Sequence, residues 1–410
     1  MRAVYVAVAV FGAVYVALDL NKLYALRYGA DLGTYLQTLV NLQHGSSWNY
    51  GEWKPHFGVH DSWALTALVP LVALVPKAQT LIVVQVLAVA CAAIPLALLA
   101  REIGLGARAA NLVAIAYLIS PAAQGLSYDN FSENVFAPLL ACCGALAARK
   151  HRFWWTLICA QLLMGLKEDE ILFALWFGIA CAIWWDRRIG VALGTLAIVN
   201  GLGFAAFERA IGMHPNDPGY SLTIFDPAGK VGMLFLLLAP FAFAPLGIGR
   251  WLLLGAPMLA EIAFMRPWNY EPSRLGSHYV APLFAATAIA AAFGAARFSS
   301  LARYMVPSAL IVTLLFNDTV LRPGRWPYIV DWNAYAKAVA LRDGARSVLL
   351  ARGDEGVWAV AAANRNVRLD PRPDPRFPNC PAYDTNAAAF FASLGGGTPP
   401  HRCGGVPVTR

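Results

Sequence analysis

Residues 30–61, ADLGTYLQTLVNLQHGSSWNYGEWKPHFGVHD, decide how the rest of the chain is read. The stretch follows a first apolar segment and precedes a long series of others. It holds Asp31, Glu52 and Asp61, the histidines His44, His56 and His60, Lys54, and the aromatics Tyr35, Trp48, Tyr50, Trp53 and Phe57. Its surroundings are mostly Ala, Leu, Val and Ile. A polar, aromatic loop tethered between hydrophobic spans is where a membrane protein would put chemistry at the water boundary. The plainer reading is an amphipathic loop lying on the bilayer.

Composition fixes the class of the flanks. Of 410 residues, 58% are hydrophobic and 14% charged, against about 25% charged in a soluble domain. With a mean hydropathy of +0.53, this is an integral membrane protein. The net charge of +8 does not point to nucleic acid, because the basic residues form no single patch. They sit in small groups between apolar runs, as topology signals do. The opening MRAVYVAVAVFGAVYVALDL has the basic start of a signal peptide but no clear small-residue cleavage site, so an uncleaved first helix is expected.

Apolar runs long enough to cross, or nearly cross, a bilayer fall at 3–20, 78–100, 108–123, 133–148, 153–166, 170–185, 189–207, 230–247, 251–265, 278–296 and 302–317. They predict an all-α polytopic protein of about eleven spans. The piece DSWALTALVPLVALVP, residues 61–76, is shorter and proline-ended, and is expected to lie at the interface or re-enter. With Arg2 in the cytoplasm, the alternate loops carry Arg101 and Arg108, then Arg149, Lys150 and Arg152, then Arg187 and Arg188, then Arg250, then Arg297 and Arg303. Each is basic, as the positive-inside rule requires. The opening stretch and nearly every other chemically capable residue then share the outer face.

Residues 318–410 change character. Within them SVLLA and NVRLD suit short buried strands alternating with helices, predicting a small outer α/β domain beside a membrane domain of residues 1–317. Cys380 and Cys403 are the two cysteines there, and in an oxidising periplasm they are expected to form a disulfide. The remaining five cysteines lie in apolar runs, where thiols act as small hydrophobes.

Several constellations could carry chemistry. Asp31 heads a piece whose Leu32, Tyr35, Leu36, Leu39 and Leu42 follow helical spacing. It is either a helix cap or a general base that takes a proton from an acceptor hydroxyl. His56 and His60 stand four apart, followed by Asp61, a spacing that could bind a metal but lacks the glutamate of a zinc-protease helix. SYDNFSEN supplies Asp129 and Glu133, and LKEDE supplies Lys167, Glu168, Asp169 and Glu170 at the junction of two spans. Any one of these could be an interfacial anchor; three acidic clusters on one side are harder to assign that way. RPWNYEPSRLGSHYVAP adds Arg266, Arg274 and His278. Outer cations run against the topology trend, and Arg suits phosphate oxygens, so an anionic lipid head group is expected near them.

DLGTYLQTL, HG, PHFGVHDS, DNFSEN, LKEDE and SRLGSHYVAPL together resemble an uncharacterised bacterial family of polytopic membrane proteins, itself similar to the GT-C superfamily of glycosyltransferases. The resemblance covers residues 15 to 297. It implies a GT-C-like fold, an outer loop with amphipathic helices, a polyprenyl-phosphate sugar donor, and an acid of the first outer loop, here Asp31, as catalytic base. Many members pair two acids at that point, whereas this chain reads Asp31-Leu32. The resulting expectation is an inverting transferase in a bacterial inner membrane that serves a glycan, lipid or protein acceptor on the periplasmic side. Arg274, Lys167 or His278 would meet the donor phosphate, and His56, His60, Asp61, Asp129, Glu133, Glu168 and Asp169 would line the substrate site. A divalent metal held by His56, Glu133 and Asp169 is a further option, and no other cofactor is implied. The competing reading is a transporter or lipid-handling protein without catalysis, whose acids would form a proton or substrate path.

Overall fold

The structure is a computed structural model that describes residues 1–210, 224, 227–264, 278–316, 327–351 and 353–370. Nearly all its regular structure is helical. Among the described residues six helices are long and apolar enough to cross a membrane: Arg2–Tyr24 (α1), Ala78–Glu102, Arg187–Ala210, Ala244–Phe264, His278–Arg297 and Ser299–Phe316. A seventh forms if Ala107–Ile119 and Pro121–Tyr128, bent by 48°, count as one span. The bend has a local cause. Pro121 brings no N–H to the ladder, and Ser120 Oγ caps the new helix by accepting from the Ala123 N–H at 3.3 Å. Thus six or seven of the eleven expected crossings have the length and composition of a span. The others are short, as in Phe153–Met164, Glu170–Trp184 and Pro227–Phe241.

One expected run, 230–247, is redrawn. Its helix stops at Phe241, Ala242 and Phe243 take left-handed φ values of 49° and 56°, and Ala244 begins the next span. Pro240 and Pro245 flank the break. The turn presses against Gly294 of the helix Ala281–Arg297, where a Cβ would stand 1.8 Å from the Ala244 carbonyl oxygen. That helix is the hub of the bundle, buried at every residue from Ala281 to Ala295. Glu170–Trp184 packs on Arg187–Ala210 almost backbone to backbone, since a Cβ on Gly190 would lie 2.2 Å from Ala182 N. Such small-residue contacts hold helices together where lipid removes the hydrophobic drive.

The two ends of the bundle differ in chemistry. At one, Lys150 Nζ lies 3.7 Å from Glu102 Oε2 and His151 Nδ1 3.0 Å from Asp186 Oδ2, gathering three of the basic loops. At the other stands α2 (Ala30–Leu42), whose residues Leu32 to Asn41 are all buried. Its leucines pack on Leu65, Leu81, Phe131 and Val360. Beyond it, β1 (Trp48–Asn49) and β2 (Lys54–Pro55) form an antiparallel hairpin. Trp63–Leu74 buries Leu65 and Val72 and exposes Leu71 and Leu74, the amphipathic form expected of an interfacial helix.

The C-terminal segment follows the expected order. Helix Trp332–Asp343, β3 (Val348–Leu350), helix Glu355–Ala361 and β4 (Val367–Leu369) succeed one another, with β3 and β4 parallel and Val348 paired to Val367. The segment is not set apart, however. Trp53 Nε1 donates to Leu369 O at 2.6 Å, and Gln37 Nε2 donates to Val367 O at 3.1 Å. It lies directly on α2 and the hairpin. The expected disulfide cysteines, Cys380 and Cys403, and the cations Arg266 and Arg274 lie outside the described residues.

Candidate active site

The head of α2 sets the geometry. Gly29 occupies the cap position, no side chain caps the helix, and the Gly29 N–H donates to Asn130 Oδ1 at 2.9 Å. Asp31 is therefore not the cap. It sits one residue inside the first turn, where the helix dipole favours a carboxylate. Among the described residues no hydrogen bond reaches its oxygens. While its neighbours along α2 are buried, Asp31 is open to solvent, yet protein surrounds it closely enough that burial raises its pKa to about 6. His278 pulls that value down, and Asp129, Glu52 and Glu133 push it up. A base with a pKa near the working pH is what proton abstraction needs.

Around Asp31 the structure assembles side chains from five separate stretches. Asp129 Oδ2 lies 3.6 Å from His278 Nδ1, and both influence Asp31. Glu133, fully buried at the start of a short helical turn, accepts from the Tyr35 hydroxyl and at 3.3 Å from Ser132 Oγ. Lys167 Nζ stands 4.5 Å from the Tyr279 ring centroid and 3.9 Å from Asp169 Oδ2. Burial works to lower the Lys167 pKa, but Asp169, Tyr279, Glu168 and Glu133 together hold it well above the ordinary value. The lysine is a fixed cation.

The two loop histidines do not converge. His56 begins a single helical turn, His56–Gly58, and its Nδ1 lies 3.0 Å from Glu52 Oε1. His60 turns to the other side, its Nδ1 3.1 Å from Glu168 Oε1. The Glu168 carboxylate also accepts from the Asp61 N–H at 3.2 Å. Burial would raise the Glu168 pKa, but the His60 charge and hydrogen bond, then Lys167, bring it to about 2. Asp61 goes the opposite way, to about 7, through burial and the nearby Glu168 and Glu208. Each histidine is thus committed to its own carboxylate. Among the described residues no three His, Cys, Asp or Glu side chains come together as a metal-holding group. His56, Glu133 and Asp169 in this arrangement do not fit the divalent metal considered above.

All the expected site residues that the structure describes meet at this one end; Arg274 lies outside the described residues. Four further groups join them. Glu52 orients His56, and its position four residues earlier was a readable signal. Tyr35 holds Glu133, and Tyr279 lies beside Lys167. Glu170 is fully buried with neither carboxylate oxygen hydrogen-bonded among the described residues. The tyrosines gave no signal beyond their type.

Comparison with known proteins fits this picture. Residues 22–208 match the family described as "Predicted membrane protein (DUF2079)". No curated protein sequence matches the chain. Among solved structures, ArnT from Cupriavidus metallidurans bound to undecaprenyl phosphate is similar with a TM-score of 0.50 at 15% identity, over 88% of this chain and 77% of that one. The same enzyme in the apo state gives 0.47 at 16% identity, over 86% and 76%. An oligosaccharyltransferase from Archaeoglobus fulgidus, in complex with zinc and sulfate, gives 0.45 at 15% identity, over 88% and 62%. At such identities the likeness to the first is one of fold alone. The latter two likenesses are too slight to carry an argument.

Proposed function

We propose that the protein is an inverting membrane glycosyltransferase of GT-C type, which moves a sugar from a polyprenyl-phosphate donor to a hydroxyl acceptor at the outer face. The observation that carries this reading is the Asp31 carboxylate. It is solvent-accessible at the head of a buried helix, free of hydrogen bonds among the described residues, and raised to a pKa of about 6. ArnT, crystallised with undecaprenyl phosphate, supports the donor class through the shared fold.

In this mechanism Asp31 accepts the proton of the acceptor hydroxyl as its oxygen attacks the anomeric carbon. The bond from that carbon to the phosphate oxygen breaks, and its electron pair leaves with the polyprenyl phosphate. Attack from the face opposite the leaving group inverts the configuration. Lys167, a described cation, and His278 beside Asp129 would meet the growing negative charge, and Arg274 is proposed to join them from its sequence position. Preorganised cations of this kind contribute most where charge develops. His56 and Glu133, held by Glu52 and Tyr35, would orient sugar hydroxyls.

The test is Asp31→Asn in purified protein supplied with a polyprenyl-phosphate sugar. Transfer should fall by about two to four orders of magnitude, the usual contribution of a placed base, while binding of undecaprenyl phosphate is kept. Wild-type transfer by the folded variant would end the base assignment. A wild-type protein that moves the lipid between leaflets without releasing polyprenyl phosphate would favour lipid handling instead.

A further inference from the structure

The first turn of α2 is held from outside by the C-terminal segment. Trp358, in the helix Glu355–Ala361, is fully buried. Its indole N–H donates to the carbonyl of Ala30, the residue before Asp31, at 3.1 Å. Its ring packs against Gly33, where a Cβ would stand 2.4 Å from Trp358 Cδ1. Two residues earlier, Gly356 presses on the turn that leads into α2, and a Cβ there would meet the Leu26 carbonyl oxygen at 2.0 Å. Leu26 itself has a left-handed φ of 55°. One turn further along, Gln37 ties three parts together. Its Oε1 accepts from the Tyr50 N–H at 2.7 Å, and its amide donates to Val367 O at 3.1 Å and Asn364 O at 3.4 Å.

A helix start without a side-chain cap has unsatisfied N–H groups and frays unless something fixes it. Here the turn is held through the Ala30 carbonyl and by packing on Gly33, from a segment more than three hundred residues away, since Trp358 and Ala30 are 328 positions apart. We propose that Trp358 is a positioning residue for Asp31: the helix Glu355–Ala361, with β4 beside it, acts as a brace that sets the first turn of α2 and so the direction of the Asp31 carboxylate. The groups that face this carboxylate come from other elements: His278 and Asp129, Glu52 from the hairpin, and Glu133. A loosened first turn would move Asp31 relative to all four. The consequence for transfer rests on the base reading given above, but the placement of Asp31 does not.

The placement can be read without substrate. Carbodiimide with an amine labels protonated carboxyls, so the pH dependence of Asp31 labelling, followed by mass spectrometry of the full-length protein, reports its titration. Wild type should give a midpoint near 6. Trp358→Ala should shift the Asp31 midpoint by half a unit or more toward the ordinary carboxylate value, about 3.9, so that at a fixed pH near 6 Asp31 labels more slowly than in wild type. Trp358→Phe, which keeps a ring and loses the N–H, should shift the midpoint less. Leu349→Ala, an exposed change in the same segment, should leave it unchanged. Transfer by the Trp358 variants should lose about 10- to 100-fold in kcat, as expected for a misplaced reacting group, with undecaprenyl phosphate binding kept. An unchanged Asp31 profile in monodisperse Trp358→Ala overturns the proposal; if that variant does not fold, an unchanged profile in Trp358→Phe does so. A shifted profile together with full transfer by Asp31→Asn would sink the base reading and leave the brace standing.

Discussion

Asp31 is surrounded by more negative than positive charge, and that sets its response to pH. Burial and the carboxylates of Asp129, Glu52 and Glu133 raise its pKa to about 6, against the pull of His278. The base must be ionised to work, so transfer should be level at alkaline pH and fall as pH drops through about 6, approaching tenfold per unit below it. A rate profile from pH 4.5 to 8.5 checks this. Asp61, raised to about 7, is the competing source of such a limb, so Asp61→Asn should retain it if Asp31 is responsible. A limb that vanishes in Asp61→Asn would assign the titration to the wrong carboxylate. The residues that gather around Asp31 were largely legible in the sequence, because acids and histidines are conspicuous among Ala, Leu and Val. Their pairings were not. His56 and His60, four apart, suggested a shared ligand, yet one is held by Glu52 nearby and the other by Glu168 from a different stretch. Only the near partner can be read along the chain.

At the level of elements, α2 and its neighbours show what periodicity can and cannot tell. The leucine spacing correctly gave the helix, and SVLLA and NVRLD gave the strands Val348–Leu350 and Val367–Leu369. The break after Phe241 was misplaced, because hydrophobicity runs on through Ala242 and Phe243 while their backbone turns left-handed. Nor does any pattern reveal that Gly33 is a contact with Trp358. That contact makes a sharp prediction. Gly33→Ala puts a methyl 2.4 Å from the indole and should destabilise the protein by about 1–3 kcal/mol, the usual cost of overpacking. Gly203→Ala, with nothing within 4 Å, should be neutral or slightly stabilising, since alanine is the better helix former. Thermal unfolding of the two in detergent compares them, and equal midpoints would mean that Gly33 is not packed as described.

For the molecule as a whole, the segregation of charge is the main observation. One end joins basic loops through Lys150–Glu102 and His151–Asp186, and the other collects the acids and histidines around Asp31. The positive-inside rule would make the first end cytoplasmic, and eleven crossings would place residues 318–410 on the far side with the site. Reporter fusions after Arg152 and after Pro323 should therefore give opposite sides. Fusions that report the same side would refute the eleven-crossing topology. Composition made the membrane class legible at once. The number of spans was less so, because several apolar helices are shorter than a bilayer needs.

The hydrogen bond from Gln37 to Val367 joins residues 330 positions apart, and this has a consequence for biosynthesis. A ribosome adding about 5–20 residues per second completes α2 roughly 15–70 seconds before the carbonyl that Gln37 needs exists. During that interval the spans can enter the bilayer one by one, while the head of α2 waits without its partner. The end around Asp31 is consequently the last part of the protein to mature. A chain stalled before Glu355 would be inserted with the head of α2 still unbraced.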